Sequence, residues 1–250
     1  MVNSESSTVD QFETKVAEFQ VAMQIYQTHL FYKNIGFIVS VLIISLQMVT
    51  VIQVYQACFL IQPVILLLCF VVAYLLTDLI NGLIHMYMDN NTHYSSIVGP
   101  FIASFHLHHL SPRYGERHPL KIYFYESGTK FWLAIYLCLL VVAQVLFALP
   151  FYIHFSLVCV GILSSVAELS HFWCHNSKNR VIQFLQKNKI LLSRKHHLIH
   201  HLSDNKNYAF LNGLTDPLIN IISRYLYMGY KNNSDQHAKA YAGQQTINRR

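Results

Sequence analysis

The stretch RKHHLIHH, residues 194–201, places four imidazoles within six positions. Once protonated, so many rings would repel one another; a metal reverses that penalty by binding the neutral ring nitrogen. Three further groups have a similar make-up: HMYMD at 85–89, HLHH at 106–109 followed by His118, and HFWCH at 171–175. A helix turns about 100° per residue, so positions i and i+4 share a face. His85 and Asp89 then point one way, with Asp78 two turns earlier beside them, and His171 and His175 point one way with Glu168. In HHLIHH all four rings fall within an arc of about 140°, His196 over His200 and His197 over His201. In HLHH, His106 and His109 share a face that His108 does not. His29, His93, His154 and His237 stand apart and read as bystanders.

The donor types narrow the chemistry. One tetrahedral zinc takes four ligands and is often Cys-rich, whereas eight or more nitrogens with a carboxylate suit two metals. Imidazole with few thiolates suits iron, which can carry out oxygen chemistry. The five cysteines form no CxxC and read as small apolar residues. No nucleophilic Ser or Cys motif and no GxGxxG occurs. HPLK at 118–121 is not the HPGG of a fused cytochrome b5, so electrons must come from a separate donor. Asp78 and Glu168 lie inside apolar segments, where ionisable groups are costly. They are candidates to accept hydrogen bonds from ligand rings, or else to reach toward water and cap polar neighbours such as Asn81.

The segments that must position these groups are greasy. The chain is 53% hydrophobic and 12% charged, too apolar for an ordinary soluble domain. A bilayer core about 30 Å thick needs roughly 20 apolar residues per helix. Four segments qualify, at about 35–57, 62–85, 131–149 and 151–173. Short links near Cys58–Ile61 and at Pro150 make them two hairpins. All eighteen Lys and Arg fall outside the spans and these links, which places both termini and the histidine groups on the cytoplasmic face. The fold expected is an all-α integral membrane protein, with four spans in two hairpins and a cytoplasmic helical His-rich cap around a dimetal site. Residues 1–34 form a cytoplasmic segment with no signal peptide, 35–230 a single membrane domain, and 231–250 a polar tail. The net charge of +6 describes one face that meets anionic headgroups or an acidic electron carrier, not nucleic acid.

Taken together, HMYMD, HHLSP at 108–112, the Arg-His at 117–118, HFWCH and RKHHLIHH resemble the Kua-type lipid desaturases, which include plasmanylethanolamine and plastid phosphatidylglycerol desaturases. The likeness covers roughly residues 75–220; Met86, the run NNTHY, His106-Leu107 and Asn205 depart from the family's pattern. It implies a non-haem diiron enzyme that uses O2 and two electrons to place a double bond in the acyl or alkyl chain of a membrane lipid. By position it implies His85, His108, His109, His171, His175, His197, His200 and His201 as core ligands, with Asp89, His118 and His196 as ligands or close supports. A separate donor such as ferredoxin or cytochrome b5 would supply the electrons. The membrane would be the inner membrane of a bacterium or the endoplasmic reticulum of a eukaryote. Two alternatives share the residues: a diiron lipid hydroxylase or oxygenase, and a His-rich metal transporter or sensor. A transporter should place ligands near the bilayer midplane, where only Asp78 and Glu168 approach. A reporter fused to the C-terminus should read as cytoplasmic and one inserted near Ile61 as the opposite; matching signals from both would overturn the four-span topology.

Overall fold

The computed structural model describes residues 2–58, 61–107, 118–125, 130–203 and 205–227. Every regular element among them is a helix: α1 (Val2–Thr28), α2 (Leu30–Cys58), α3 (Pro63–Asn90), α4 (Gly99–His106), α5 (Pro119–Tyr125), α6 (Phe131–Leu146), α7 (Phe151–Asn176), α8 (Arg180–Lys187), α9 (Arg194–Leu202) and α10 (Asp216–Leu226). Pro63 starts α3 at its first turn, where a missing N–H costs nothing.

Three of these helices, α2, α3 and α7, are long and apolar enough to cross a membrane. The fourth expected span is shorter than the sequence suggests. α6 holds 16 residues, about 24 Å of helix at 1.5 Å per residue. Pro150 disfavours helical backbone at Leu149, and the chain leaves the helix at Phe147.

α3 and α7 form the most extensive helix pair. Ala73 packs there against Cys159 and Val160, and Asn81 Nδ2 donates to Ser164 Oγ at 3.1 Å. α2 and α6 close the bundle through Val39, Ile43, Leu133, Leu137 and Val158. Gln47 Nε2 crosses to α7, donating to the Gly161 carbonyl at 2.9 Å and to Ser165 Oγ at 2.8 Å. Polar side chains that bond between helices in this way hold them together where apolar contact alone is not selective. Outside the bundle, α1 lays Phe19, Ala22 and Met23 on Tyr94, Ile102 and Leu107. The segment expected to be merely polar therefore contains a long helix with one buried stripe.

The segment between α9 and α10 is fastened to α3 by one carboxylate. Asp78 is fully buried. Its Oδ1 accepts the backbone N–H groups of Leu211, Asn212 and Gly213 at 3.1, 2.9 and 3.2 Å. Its Oδ2 accepts Thr215 N–H at 3.0 Å and Thr215 Oγ1 at 2.7 Å. A buried carboxylate is tolerable only when its lone pairs are filled in this manner. Gly82, one turn on, lets the same segment approach: a Cβ there would stand 2.4 Å from Ile219 Cδ1 and 3.1 Å from Ala209 Cα. Asp78→Asn turns one acceptor into a donor among donors and should cost about 3 kcal/mol. The readout is the melting temperature in detergent, which Thr215→Val should lower much less; an unchanged Asp78→Asn melt would remove Asp78 as the fastener.

Candidate metal centre

Three helices bring the ligand groups together. The last turns of α3 carry His85 and Asp89, the last turns of α7 carry His171 and His175, and α9 carries His197, His200 and His201. The register of α9 is set at its start, where Ser193 Oγ accepts the N–H of His196 at 3.2 Å, a side-chain cap that fixes where the helix begins.

The side chains fall into two buried groups. In the first, Nε2 of His171 lies 3.0 Å from Nε2 of His197 and 3.4 Å from that of His175, and the latter two nitrogens are 3.1 Å apart. Nitrogens bound about 2.0–2.1 Å from one ion at angles near 90–109° stand about 3.0–3.4 Å from each other. The three separations match that triangle. His201, at the less buried edge, brings its Nε2 to 2.9 Å from that of His197. Burial, and then the neighbouring rings of His171, His175, His201 and His200, hold the His197 imidazole well below its ordinary range. It is therefore neutral near pH 7, the form that binds metal.

In the second group, Nε2 of His85 and Nε2 of His200 face Oδ2 of Asp89 at 3.1 and 3.2 Å. The other ring nitrogens settle the tautomers. His85 Nδ1 donates to the Tyr208 carbonyl and His200 Nδ1 to the Lys206 carbonyl, both at 2.7 Å. A carbonyl can only accept, so in the neutral rings each Nε2 carries the lone pair. Two lone pairs and a carboxylate oxygen then converge, an arrangement that suits a cation at their centre. Backbone carbonyls holding the remote nitrogen in this way are typical supports of metal-binding histidines. The two groups of three could each hold a metal ion, and they adjoin: the rings of His197 and His200 are 5.3 Å apart and those of His85 and His171 5.6 Å. Phe210 stacks on His171 at 4.0 Å and lies 4.3 Å from His85, against both.

The remaining expected residues go elsewhere or lie outside the description. His108 and His109 fall in 108–117, outside the described residues. His118 is exposed, and its Nδ1 accepts the N–H of Leu120 at 3.3 Å. His196 turns away from the triangles; its Nε2 meets Asp216 Oδ2 at 2.5 Å. Asp78 reaches no ring, because its oxygens hold the 211–215 backbone. Glu168 is half-buried on α7. His106 is buried, with Nδ1 accepting from Tyr94 OH at 2.7 Å and Nε2 donating to the Met88 carbonyl at 2.9 Å. Cys69, Cys138, Cys159 and Cys174 take part in no disulfide among the described residues.

Sequence reasoning missed the segment that sets the tautomers. Between α9 and α10 the chain passes through two left-handed residues, Asn205 and Asn207, each with φ 58°, a conformation Asn tolerates better than most. The residues that follow each, Lys206 and Tyr208, present the carbonyls that hold His200 and His85. Asn205 is pinned by donating to the Ser223 and Tyr227 carbonyls at 3.0 and 2.9 Å. Asp216 is the other missed residue: Oδ1 accepts the N–H of Ala209 at 2.9 Å. The signals available were the Asn-rich run after the histidine block and an Asp-Pro at a helix start.

Residues 74–229, more than half of the chain, match the family model described as a lipid desaturase domain. No curated protein and no solved structure gives a significant match. Alanine at His171 or at His85 should each lower the metal content of the purified protein, whereas His29→Ala, at an exposed position, should leave it unchanged. Elemental analysis checks this, and an equal loss from all three would dissolve the division into ligands and bystanders.

Proposed function

The chain belongs to the lipid desaturase domain family, and from that premise we propose that it is a membrane-embedded, O2-dependent desaturase that holds two irons. The observation that carries this reading is the pair of adjoining buried groups whose ligand atoms converge. His171, His175 and His197 would hold one ion, with His201 beside them; His85, His200 and Asp89 would hold the other. Two imidazoles and a carboxylate are the donor set favoured by non-haem Fe(II). His108 and His109 are further candidate ligands, as the resemblance implies, and His118 and His196 are supports rather than members of either triangle. With both ions bound, the centre supplies the oxidising power of activated O2 needed to attack an unactivated C–H bond.

The protein's own residues do the rest. Asp89 balances charge on its side of the centre, and the Tyr208 and Lys206 carbonyls keep His85 and His200 aimed. Phe210, against both groups, keeps water from the space between them. The net change removes two hydrogens from neighbouring chain carbons; these two hydrogens, with O2, two electrons and two protons, would leave as two waters. On the same reading a separate carrier such as ferredoxin or cytochrome b5 would deliver the electrons.

Position supports a lipid substrate. His85, Asp89, His171 and His175 sit at the ends of long apolar helices, and a chain lying in the bilayer passes beside those ends. On this reading α6, short as it is, completes a four-span bundle by thinning the bilayer locally, and the ligand end faces the cytoplasm, where the Lys and Arg residues lie. The same position argues against a metal transporter, whose ligands belong near mid-span.

Comparative lipidomics of cells with and without the protein should show lipids differing by the loss of two hydrogens. That difference should vanish with His200→Ala. A gain of one oxygen instead would assign the hydroxylase reaction to the same centre.

A further inference from the structure

Two short helices beside the metal centre present apolar faces that the fold leaves uncovered. α8 half-buries its inner edge, with Ile182 and Leu185 packed toward Leu191 and Phe210. The adjoining face carries Val181 and Phe184, which are 65% and 62% exposed. At about 100° per residue, Arg180 and Lys187 fall on the flank next to Phe184. α10 repeats the pattern. Ile219 is buried against α3 and Tyr208, while Leu218, Ile221 and Tyr225 project outward, Tyr225 being 87% exposed. Its polar flank carries Asn220 and Arg224.

The depth of these helices can be read on α3. From Val64 to Leu76 that helix exposes large apolar side chains, and beyond Leu76 the next one exposed is Tyr87. Tyr74, near the end of this band, donates its hydroxyl to the Ile190 carbonyl, just after α8. Gly82, one to two turns past the band, is where Ile219 of α10 packs. Both helices therefore lie at the level where the lipid-facing surface of α3 stops. The segment 178–195 holds six basic residues, Lys178, Arg180, Lys187, Lys189, Arg194 and Lys195, and no acidic one.

We propose that α8 and α10 lie in the headgroup layer of the bilayer, sinking Val181, Phe184, Leu218, Ile221 and Tyr225 to the acyl boundary, with the basic residues around α8 on anionic lipid phosphates. A helix with an apolar face and a basic flank at this depth binds the interface through both terms. Such a collar would hold the metal centre at a fixed height below the chain carbons it attacks. The proposal rests on the reading of α2, α3 and α7 as membrane spans, and its test separates the two.

The test uses full-length protein reconstituted in vesicles of phosphatidylcholine and phosphatidylglycerol, with Trp132 and Trp173 replaced by Phe and one Trp introduced at a time. Phe184→Trp and Tyr225→Trp should lose fluorescence to lipids brominated near the headgroup and resist aqueous acrylamide. His93→Trp, in an exposed loop, is the aqueous reference, and Leu68→Trp, on the apolar band of α3, the buried one. If Leu68→Trp escapes quenching by lipids brominated near the chain end, the membrane reading itself fails. If Leu68→Trp is quenched but positions 184 and 225 behave like position 93, the faces are open to water, as a docking site for an acidic soluble protein would be, and the collar is refuted. A second measurement needs no Trp-free background: phosphatidylglycerol should raise the melting temperature of the native protein more than that of K178Q/R180Q/K187Q/K189Q. Equal shifts would refute the lipid phosphate contacts.

Discussion

Imidazole nitrogens brought within about 3 Å of one another are stable only if each ring is held in a chosen tautomer and something positive meets the lone pairs. The rest of the structure serves that constraint. Two rings are fixed by backbone carbonyls, at Lys206 and Tyr208. A third, His197, is kept neutral by burial and by its neighbours. The carboxylate among them, Asp89, is fully buried, so its charge acts at close range and is little screened. A cation placed there is compensated on one side by this charge and on the other by neutral donors.

Holding backbone carbonyls in place is a task the bundle passes to acidic residues outside the two triangles. Asp78 gathers the N–H groups of the 211–215 turn, and Asp216 holds Ala209 and His196. Lys206 and Tyr208, whose carbonyls set the rings, lie just before the stretch that these two anchors hold. Gly213, with φ 87°, completes the turn; a Cβ there would stand 2.6 Å from His196 Nε2. The helices supply the ligands, and an irregular strap of about ten residues aims them, which suits the general need for a supporting layer behind a metal site.

The grouping of the candidate ligands was legible because helix periodicity is visible in a single sequence. His85/Asp89 and His171/His175 each share a face by spacing alone, and the structure puts each pair where that spacing says. For α9 the arc was read correctly, but periodicity cannot tell which member of a cluster turns elsewhere; His196 does so because Asp216, twenty residues on, competes for it. The membrane-like helices were legible from apolar length, apart from the end of α6. The strap was not legible. Its contribution comes from carbonyl groups that every residue possesses, so side-chain types give no sign of it. Asp78 was noticed as a costly charge, a candidate partner for the rings or a cap for polar neighbours such as Asn81, whereas its partners are backbone groups and the Thr215 hydroxyl, 133–137 residues away. The buried stripe of α1 was likewise hidden, since apolar residues such as Val21 and Ile25 stand on its exposed side while Phe19, Ala22 and Met23 stand on the buried one.

α3 runs unbroken from Pro63 to Asn90, so the residues of its outer apolar band and the first coordinating residues belong to one rigid rod. Adding a single residue between Leu76 and His85 would swing His85 by about 100° and shift it about 1.5 Å, tearing it from Tyr208. One-residue lengthening of this segment therefore cannot raise or lower His85 without also turning it away from its partners; only an insertion close to whole turns keeps its direction.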